Sequence, residues 1–449
     1  EITALRADIP KIAALAGYSL PENIWANFDA KVTGTLDDPI VSLNISRALW
    51  SLPGIQPTLT AKVKYENGIM QINDASLYEG NSYIQLAGSF SHDGNIYGTL
   101  QGDSIDLKTI KNAFDLKQEI NGKVAFKANV SGTLENFKGL LELQASDVYY
   151  EKLQLQGLLG SFAIDPQGIR INEFRASIEG NELIALGTLP WPKDIEAFSQ
   201  IPLPTNSQDL PLKVSIRSPR SNLTAFNGLI NGLAFDKGQL KIDLDVGGNW
   251  QRPNFAGYIT LTDTSLHYDA YSEPIVDLNG DVVFSGNKAE IRDISAKVGK
   301  GSLKLGGLVY LDSVNPGVSI SYDIRKLPYH TDLVKTVITG QGRLSGTLKE
   351  PRLDGIIELE NTDVNLAAYK NNSPQSAAKL PLILDLSVVH KGEFRVRGMG
   401  LDAKGTGNVQ LTGALSDLRL DGRIEGTEGR INYLDNIFEI TRAQLIFQR

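Results

Sequence analysis

Apolar and polar side chains alternate along most of this 449-residue chain. Between 239 and 246, Leu240, Ile242, Leu244 and Val246 fall on one parity, and Lys241, Asp243 and Asp245 on the other. A period of two puts alternate side chains on opposite sides of a β-strand, so one face of the sheet is apolar and the other wet. The pattern recurs at Val124, Phe126, Ala128 and Val130, at Leu382, Leu384, Leu386 and Val388, at Phe394 and Val396, and at Leu418 and Leu420. Turn residues such as Asn67 and Gly68 separate the runs, which favours antiparallel hairpins over parallel crossovers. No long helical pattern lies between strands, which argues against a doubly wound α/β fold.

A repeated phrase organises the alternation. Gly34-Thr-Leu-Asp-Asp-Pro is echoed by phrases opening at Gly132, Gly248, Gly346 and Gly413, spaced 98, 116, 98 and 67 residues apart. These glycines are expected at equivalent turn or strand-bend positions, where they serve backbone geometry. A second echo opens at Gly68, Gly168, Asn287 and Gly392, and twelve residues after each come Gly80, Gly180, Gly299 and Lys404. A third echo reads as a short helix, at 8–17, 106–116, 221–233 and 331–338, each opening on a Ser, Thr or Asp able to cap free amides. One unit is then a short helix followed by roughly six strands, stacked on its neighbours as in other repeat arrays. The units fall at 1–105, 106–220, 221–330 and 331–449, the last including the start of a further unit, all in one continuous array. Residues 190–211 hold five prolines, account for the stretched 116-residue spacing and read as an inserted loop; 370–379 is a second polar loop. The chain starts without methionine and stops inside a strand-like run, so it reads as a fragment of a longer protein.

Composition narrows the function. No run of about twenty apolar residues is present, so no segment here crosses a bilayer as a helix. The chain has no cysteine, which removes disulfides, thiolate ligands and cysteine nucleophiles together and fits an oxidising envelope compartment. A net charge of −8 argues against nucleic acid as a partner. The histidines His92, His267, His330 and His390 fall in different units and at no matching repeat position. Metalloprotease, nucleophile-elbow and Walker signatures are missing. Gly340, Gly342 and Gly346 resemble a phosphate loop superficially, but the third glycine comes one place late and the segment sits between strands. Asp37 and Asp38 suggest a carboxylate pair, yet they occupy the turn of the repeated phrase, where Glu135-Asn136, Lys349-Glu350 and Ser416-Asp417 replace them. No catalytic residue, cofactor or metal site is expected, and the chain does not read as an enzyme.

The run Gly346-Thr-Leu-Lys-Glu-Pro-Arg-Leu-Asp-Gly-Ile-Ile-Glu-Leu resembles the recurrent Gly-x-Leu…Pro-x-Leu-x-Gly-x-Ile element of the TamB and AsmA-like family of bridge-like lipid-transfer proteins. Residues 428–447 are similar to the segment leading into that family's conserved C-terminal domain. The resemblance covers nearly the whole chain. It implies a long sheet curled into a U with an apolar interior, linking inner and outer membranes across the periplasm and carrying phospholipid between them. It also implies a part in outer-membrane protein assembly. The implied partners are phospholipid acyl chains, an outer-membrane barrel protein of the TamA or BamA type reached through a region outside this fragment, and the inner membrane through an N-terminal anchor, also outside it.

The residues support the same shape. A sheet with one continuous apolar face must cover it, and this chain has too few helices to do so. The fold class expected is mainly β: an elongated repeat array forming one continuous, curved antiparallel sheet with an apolar groove and short edge helices. Burying a methylene is worth about 0.8 kcal/mol, so a lipid with some thirty methylenes meets a barrier on the order of 20 kcal/mol in open water, most of which a greasy channel removes. The lining expected is Val124, Phe126, Val130, Leu240, Ile242, Leu244, Val246, Leu384, Leu386, Phe394, Val396 and Leu420. Two other readings stay open: a periplasmic holdase for unfolded outer-membrane strands, bound at the sheet edge, and a transmembrane β-barrel. The helices and the long period count against the barrel; lipid and strand cargo are not separable from sequence.

Overall fold

The computed structural model describes residues 1–15, 24–50, 57–113, 119–133, 135–150, 153–191, 211–250, 252–269, 271–311, 316–371, 382–415, 417–434 and 436–447. The expected loop at 190–211 therefore lies almost wholly outside the described residues, as does most of the one at 370–379. Twenty-seven strands, hydrogen-bonded as one sheet, make up most of the chain. Two compact units are distinguished, Glu1–Ile216 and Arg217–Arg449.

The first unit holds β1 (Ile2–Asp8), α1 (Ile9–Leu15), β2 (Ile24–Gly34), β3 (Pro39–Trp50), β4 (Thr58–Glu66), β5 (Ile69–Glu79), β6 (Ser82–Ser91), β7 (Asn95–Asp106), α2 (Leu107–Ala113), β8 (Ile120–Thr133), β9 (Phe137–Tyr150), β10 (Leu153–Asp165), β11 (Gly168–Ile178) and β12 (Asn181–Pro190). The unit boundary falls inside β13 (Leu212–Asn222). The second unit continues with β14 (Leu233–Gly248), β15 (Pro253–Tyr268), β16 (Tyr271–Gly286), β17 (Lys288–Val298), β18 (Gly301–Tyr310), β19 (Gly317–His330), β20 (Val334–Thr347), β21 (Glu350–Asn365), β22 (Ile383–Lys391), β23 (Phe394–Gly398), β24 (Leu401–Ala414), β25 (Arg419–Tyr433), β26 (Asn436–Ile440) and β27 (Ala443–Phe447). Among the described residues, no helix is long and apolar enough to cross a membrane.

The five phrase glycines do the same job five times. Gly34, Gly132, Gly248, Gly346 and Gly413 sit at or next to the end of β2, β8, β14, β20 and β24 with φ of 90, 112, 89, 100 and 102°. A Cβ on Gly34 would lie 2.4 Å from the Asp38 carbonyl oxygen, and one on Gly132 2.3 Å from that of Asn136. Only glycine closes this hairpin without a clash. The next residue explains the preference for threonine: Thr35, Thr133 and Thr347 each accept, through Oγ1, the backbone N–H three residues on, at 3.1, 3.2 and 3.2 Å. Asn249 does so through its amide oxygen at 2.8 Å. Such local bonds hold a turn without help from the rest of the fold.

Gly80, Gly180 and Gly299 likewise turn the β5–β6, β11–β12 and β17–β18 hairpins. The fourth echo departs from expectation. β23 is only five residues long, and its hairpin turns at Met399 and Gly400, before Lys404.

Two further expectations are corrected. Residues 331–338 are not helical. The Thr331 cap forms, its Oγ1 accepting from the Val334 N–H at 3.0 Å, but the chain then enters β20. Val334, Thr336, Val337 and Ile338 are β-branched and favour the extended backbone. The helices at 8–17 and 106–116 appear as α1 and α2, with their last residues outside the described chain, and 221–233 keeps only a 3-10 turn at Leu223–Phe226. Another 3-10 turn, Leu366–Asn371, was not expected. The ladder is also not wholly antiparallel. β21 pairs in parallel with β22 and β23. The stretch from 366 to 382 between them has the dozen or more residues that a return to the same strand end needs.

Nearly every long strand bends. Register shifts fall beside Ser104, Asp263, Asp277, Asp293, Lys326 and Asn361, whose φ lies between 46 and 54°. Asp and Asn tolerate this left-handed backbone better than most residues, and each bulge bends its strand and increases its twist. Beyond the bulges the strand ends are tightly packed. Ile105, Val148 and Ile178 are buried in the first unit, and Thr264, Leu266, Ala296, Val298, Thr336 and Thr362 in the second. The buried hydroxyls pair, Thr336 Oγ1 with Thr362 Oγ1 at 2.8 Å and Ser218 Oγ with Ser221 Oγ at 2.6 Å. Helices cover this end: α1 packs on β1 and β2, α2 on β7 and β8, and the 3-10 turn at Leu223 on β14. Many of the buried side chains therefore sit at one end of the strands.

Candidate functional site

Away from that packed end, the ladder registers join single residues into apolar rows. In the first unit one row runs from Ala4 through Phe28, Ile45, Ala61, Ala75, Leu86, Leu100, Ala128, Leu141, Phe162 and Ile171 to Gly187. In the second a row runs from Ile242 through Ile259, Val282, Ile291, Gly307, Ile320, Leu344, Leu353 and Leu384 to Gly413. Residues paired across a ladder share a face, so each row is a continuous apolar band crossing its unit. No charged residue interrupts either.

The residues expected to line a groove lie on these faces. Val124, Phe126 and Val130 share the apolar face of β8. In the second unit Leu240, Ile242, Leu244 and Val246 share the apolar face of β14. Leu384 and Leu386 belong to the same face, which reaches Leu420 through Leu411, while Phe394 and Val396 join it opposite Gly405 and Ala403. Leu384 and Leu386 are buried, Leu420 is 41% exposed, and the other nine are half-buried. Half-burial is the informative state. In a two-layer sandwich the inward residues are covered by a facing sheet; here most of them keep part of their surface accessible.

The opposite parity is charged. Across the second unit, Asp243, Tyr258, Val283, Glu290, Leu308, Ser319, Ser345, Arg352 and Ile383 form a row on the other face, mixed in character but carrying the charges the apolar row lacks. Arg217 reaches Asp243 at 3.1 Å and Asp245 at 2.9 Å, and Arg352 pairs with Asp385. Arg395 grips Asp402 with two bonds of 2.8 Å, and that hydrogen bonding holds the Asp402 carboxyl below its ordinary range. Lys297 does the same for Asp277. These pairs are exposed and contribute little stability individually; their effect is to keep this face in water. Shallow recesses open on it, one of about 770 Å³ beside Glu290, Arg292, Lys304 and Asp323. This one is a gap between long charged side chains. Among the described residues, no group of His, Cys, Asp and Glu is placed to hold a metal ion.

One seat repeats with the phrase. The residue four before each phrase glycine pairs with the residue nine after it: Ala30 with Leu43, Ala128 with Leu141, Leu244 with Gly257, Gly342 with Gly355, and Val409 with Gly422. One partner is always small; the larger one lies on the second strand at Leu43 and Leu141 and on the first at Leu244 and Val409, while Gly342 and Gly355 are both small. Tall side chains nearby lie flat. A Cβ on Gly102 would fall 2.5 Å from the Phe126 ring, and one on Gly160 2.5 Å from the Phe162 ring. The Tyr322 hydroxyl lies over both Gly342 and Gly355 and donates to the Asp354 carbonyl at 3.2 Å. His390 also brings polar atoms into this face, its Nδ1 3.1 Å from the Gly392 carbonyl and its ring edge-on to Phe394.

Sequence reasoning missed most of each row. Leu86, Leu100 and Val282 lie on strands whose alternation is diluted by the apolar-face glycines Gly88, Gly98 and Gly280. The available signal was that each such glycine keeps the parity of its apolar neighbours.

Residues 290–449 match the family model of the TamB C-terminal domain. The match begins within β17, so 428–447 lies inside that domain instead of leading into it. Neither a curated protein nor a solved structure matches the chain.

Proposed function

The chain belongs to the TamB family through residues 290–449, a family whose role lies in outer-membrane assembly and lipid transport, and from that premise we propose that its apolar faces carry phospholipid acyl chains. The work is assembly and transport in the cell envelope, and chemistry on a substrate has no part in it. One observation carries the reading: in each unit an uncharged row crosses strand after strand while its side chains, Ala61 and Leu384 excepted, stay half-open. A protein that needed this surface only for its own core would bury it. Each methylene laid against it recovers part of about 0.8 kcal/mol, summed over a whole chain. The rows offer no hydrogen-bonding pattern to select one position, so a chain meets similar contacts at each step. The lining consists of Val124, Phe126, Val130, Leu240, Ile242, Leu244, Val246, Leu384, Leu386, Phe394, Val396 and Leu420. The charged face stays in water, and the protein works in the periplasm with an outer-membrane barrel partner of the TamA type.

A photo-crosslinking amino acid at Leu244, compared with one at Asp243, tests this directly. Lipid adducts at 244 and none at 243 are expected. Adducts at 243 alone would reverse the working face.

A second reading, strand capture for outer-membrane assembly, has its own observation. β26 and β27 both pair with β25 and expose Ile437 at 68%, Phe438 at 55%, Leu445 at 59% and Ile446 at 57%, on alternating faces. These apolar side chains, open on both faces, suit contact with an unfolded outer-membrane strand. Crosslinks from Ile446 to unfolded outer-membrane protein would favour it; lipid adducts at Leu244 would not be affected.

A further inference from the structure

Ala128 and Leu141 face each other across β8 and β9, within the first unit's apolar row. At the matching seat of the next phrase the order is reversed, with Leu244 opposite Gly257. The pair keeps a bulk of little more than one leucine while the large member changes strands. Ala128, Leu141 and Leu244 are all half-exposed, so no described part of the chain covers them completely. A second observation points the same way. Phe126 lies down over Gly102, leaving no room for a Cβ there, although upright it would stand clear of the row. Gly102 itself has no left-handed φ, so its own backbone would admit a side chain if the ring moved.

We propose that this small-and-large pairing and the flattened ring set the clearance of the apolar face, keeping its floor low enough for a phospholipid acyl chain to lie across the rows. Ala128, Leu141, Phe126 and Gly102 are then positioning residues for cargo, and their combined bulk decides how thick a chain is accepted. The inference rests on the acyl-chain reading above and adds a size limit to it.

Ala128→Leu places two leucines at the seat. Combining it with Leu141→Ala restores the original bulk in the reversed order already used at Leu244 and Gly257. Each protein is purified from the envelope of a diderm host, its phospholipid measured by mass spectrometry and its thermal unfolding followed by circular dichroism. Ala128→Leu should retain its melting temperature and carry roughly three- to tenfold less phospholipid, and the double variant should return to the original content. Gly102→Ala, which must lift the Phe126 ring, should also lose lipid, and adding Phe126→Leu should restore it. Two outcomes overturn the proposal: unchanged lipid in Ala128→Leu, or a lowered melting temperature that the double variant repairs, which would make the pair ordinary packing. Lipid on the unaltered protein separates this failure from a failure of the acyl-chain reading. If the unaltered protein carries none, both fall.

Discussion

Two stretches of this chain have the same length between phrase glycines, Gly34 to Gly132 and Gly248 to Gly346, and spend their residues differently. Both place six strands between the phrases, β3–β8 and β15–β20. The first uses strands of 12 and 9 residues for β3 and β4, and inserts α2 before β8. The second lengthens β15 and β16 to 16 residues each, and turns from β19 to β20 through the Thr331 cap. Where α2 covers the packed end in the first, the second folds its long strand ends onto each other. The Tyr271 and Tyr329 rings lie 6.3 Å apart, and Tyr271 Oη donates to the Pro328 carbonyl. Gly299 lies beneath Pro328, where a Cβ would come within 3.0 Å of the ring. What the period preserves is therefore strand count and hairpin register. The closure of the packed end is interchangeable.

The largest effect should come from the seat where the two stretches differ most. Gly257→Ala puts a Cβ 2.0 Å from the Asp243 carbonyl at a φ of +127°, so the β14–β15 ladder must open. Strain and lost hydrogen bonds together should cost about 3 kcal/mol or more. The matching residue of the first stretch is Leu43, and Leu43→Ala should cost about 1–2 kcal/mol, below the range for fully buried leucines. Urea unfolding with hydrogen exchange at the two ladders measures both; equal costs would break the equivalence of the seats.

The Tyr271 contact comes next. Tyr271→Phe removes one hydrogen bond, worth about 1 kcal/mol, and should loosen β16 against β19 without touching the first stretch. Burial pushes the Tyr271 phenol up from 10.0 to about 12. A raised folded-state value means that its contribution is fully present below pH 10 and is lost as pH climbs to about 12. Alkaline unfolding of the natural protein should therefore show this loss, and Tyr271→Phe should not. The smallest effect is expected at the phrase itself. Thr347→Ala should cost about 0.5 kcal/mol, because Ala414 already fills that position in the last phrase, its turn held by the Asp417 N–H donating to the Ala414 carbonyl at 2.8 Å. A larger loss would mean that the side-chain bond does more than tighten the loop.

How far each feature could be read from sequence follows from how local its cause is. Alternation and hairpin glycines act within a few residues, so the strands around Leu240–Val246 and the equivalence of Gly34 with Gly346 were legible. Residues 331–338 were not, because apolar spacing of three and four also fits a short β-branched strand, and β20 pairs with β19 and β21 along its length. The parallel β21–β22 junction and the Tyr271–Pro328 bond join residues far apart in sequence, and no local pattern encodes them. The bulges at Asp263, Asp277 and Asp293 left a trace, an acidic residue interrupting the alternation, whose meaning emerges only when neighbouring strands are aligned. For the proposed lining, parity grouped the twelve residues with other apolar residues on one face of their strands. It could not tell buried Leu384 from exposed Leu420, since burial depends on which strands lie beyond.

The central claim, that the apolar face carries acyl chains, is tested most directly by lipid transfer with Leu244→Arg set against Asp243→Arg. Leu244 is half-buried, so a guanidinium there can partly reach water and the array should stay folded, its stability being roughly a sum over neighbouring units. Transfer between the membranes, measured in cells lacking redundant transporters and alongside circular dichroism, should fall sharply for Leu244→Arg and remain normal for Asp243→Arg. Full transfer with a charge at Leu244 in a folded protein would contradict the account.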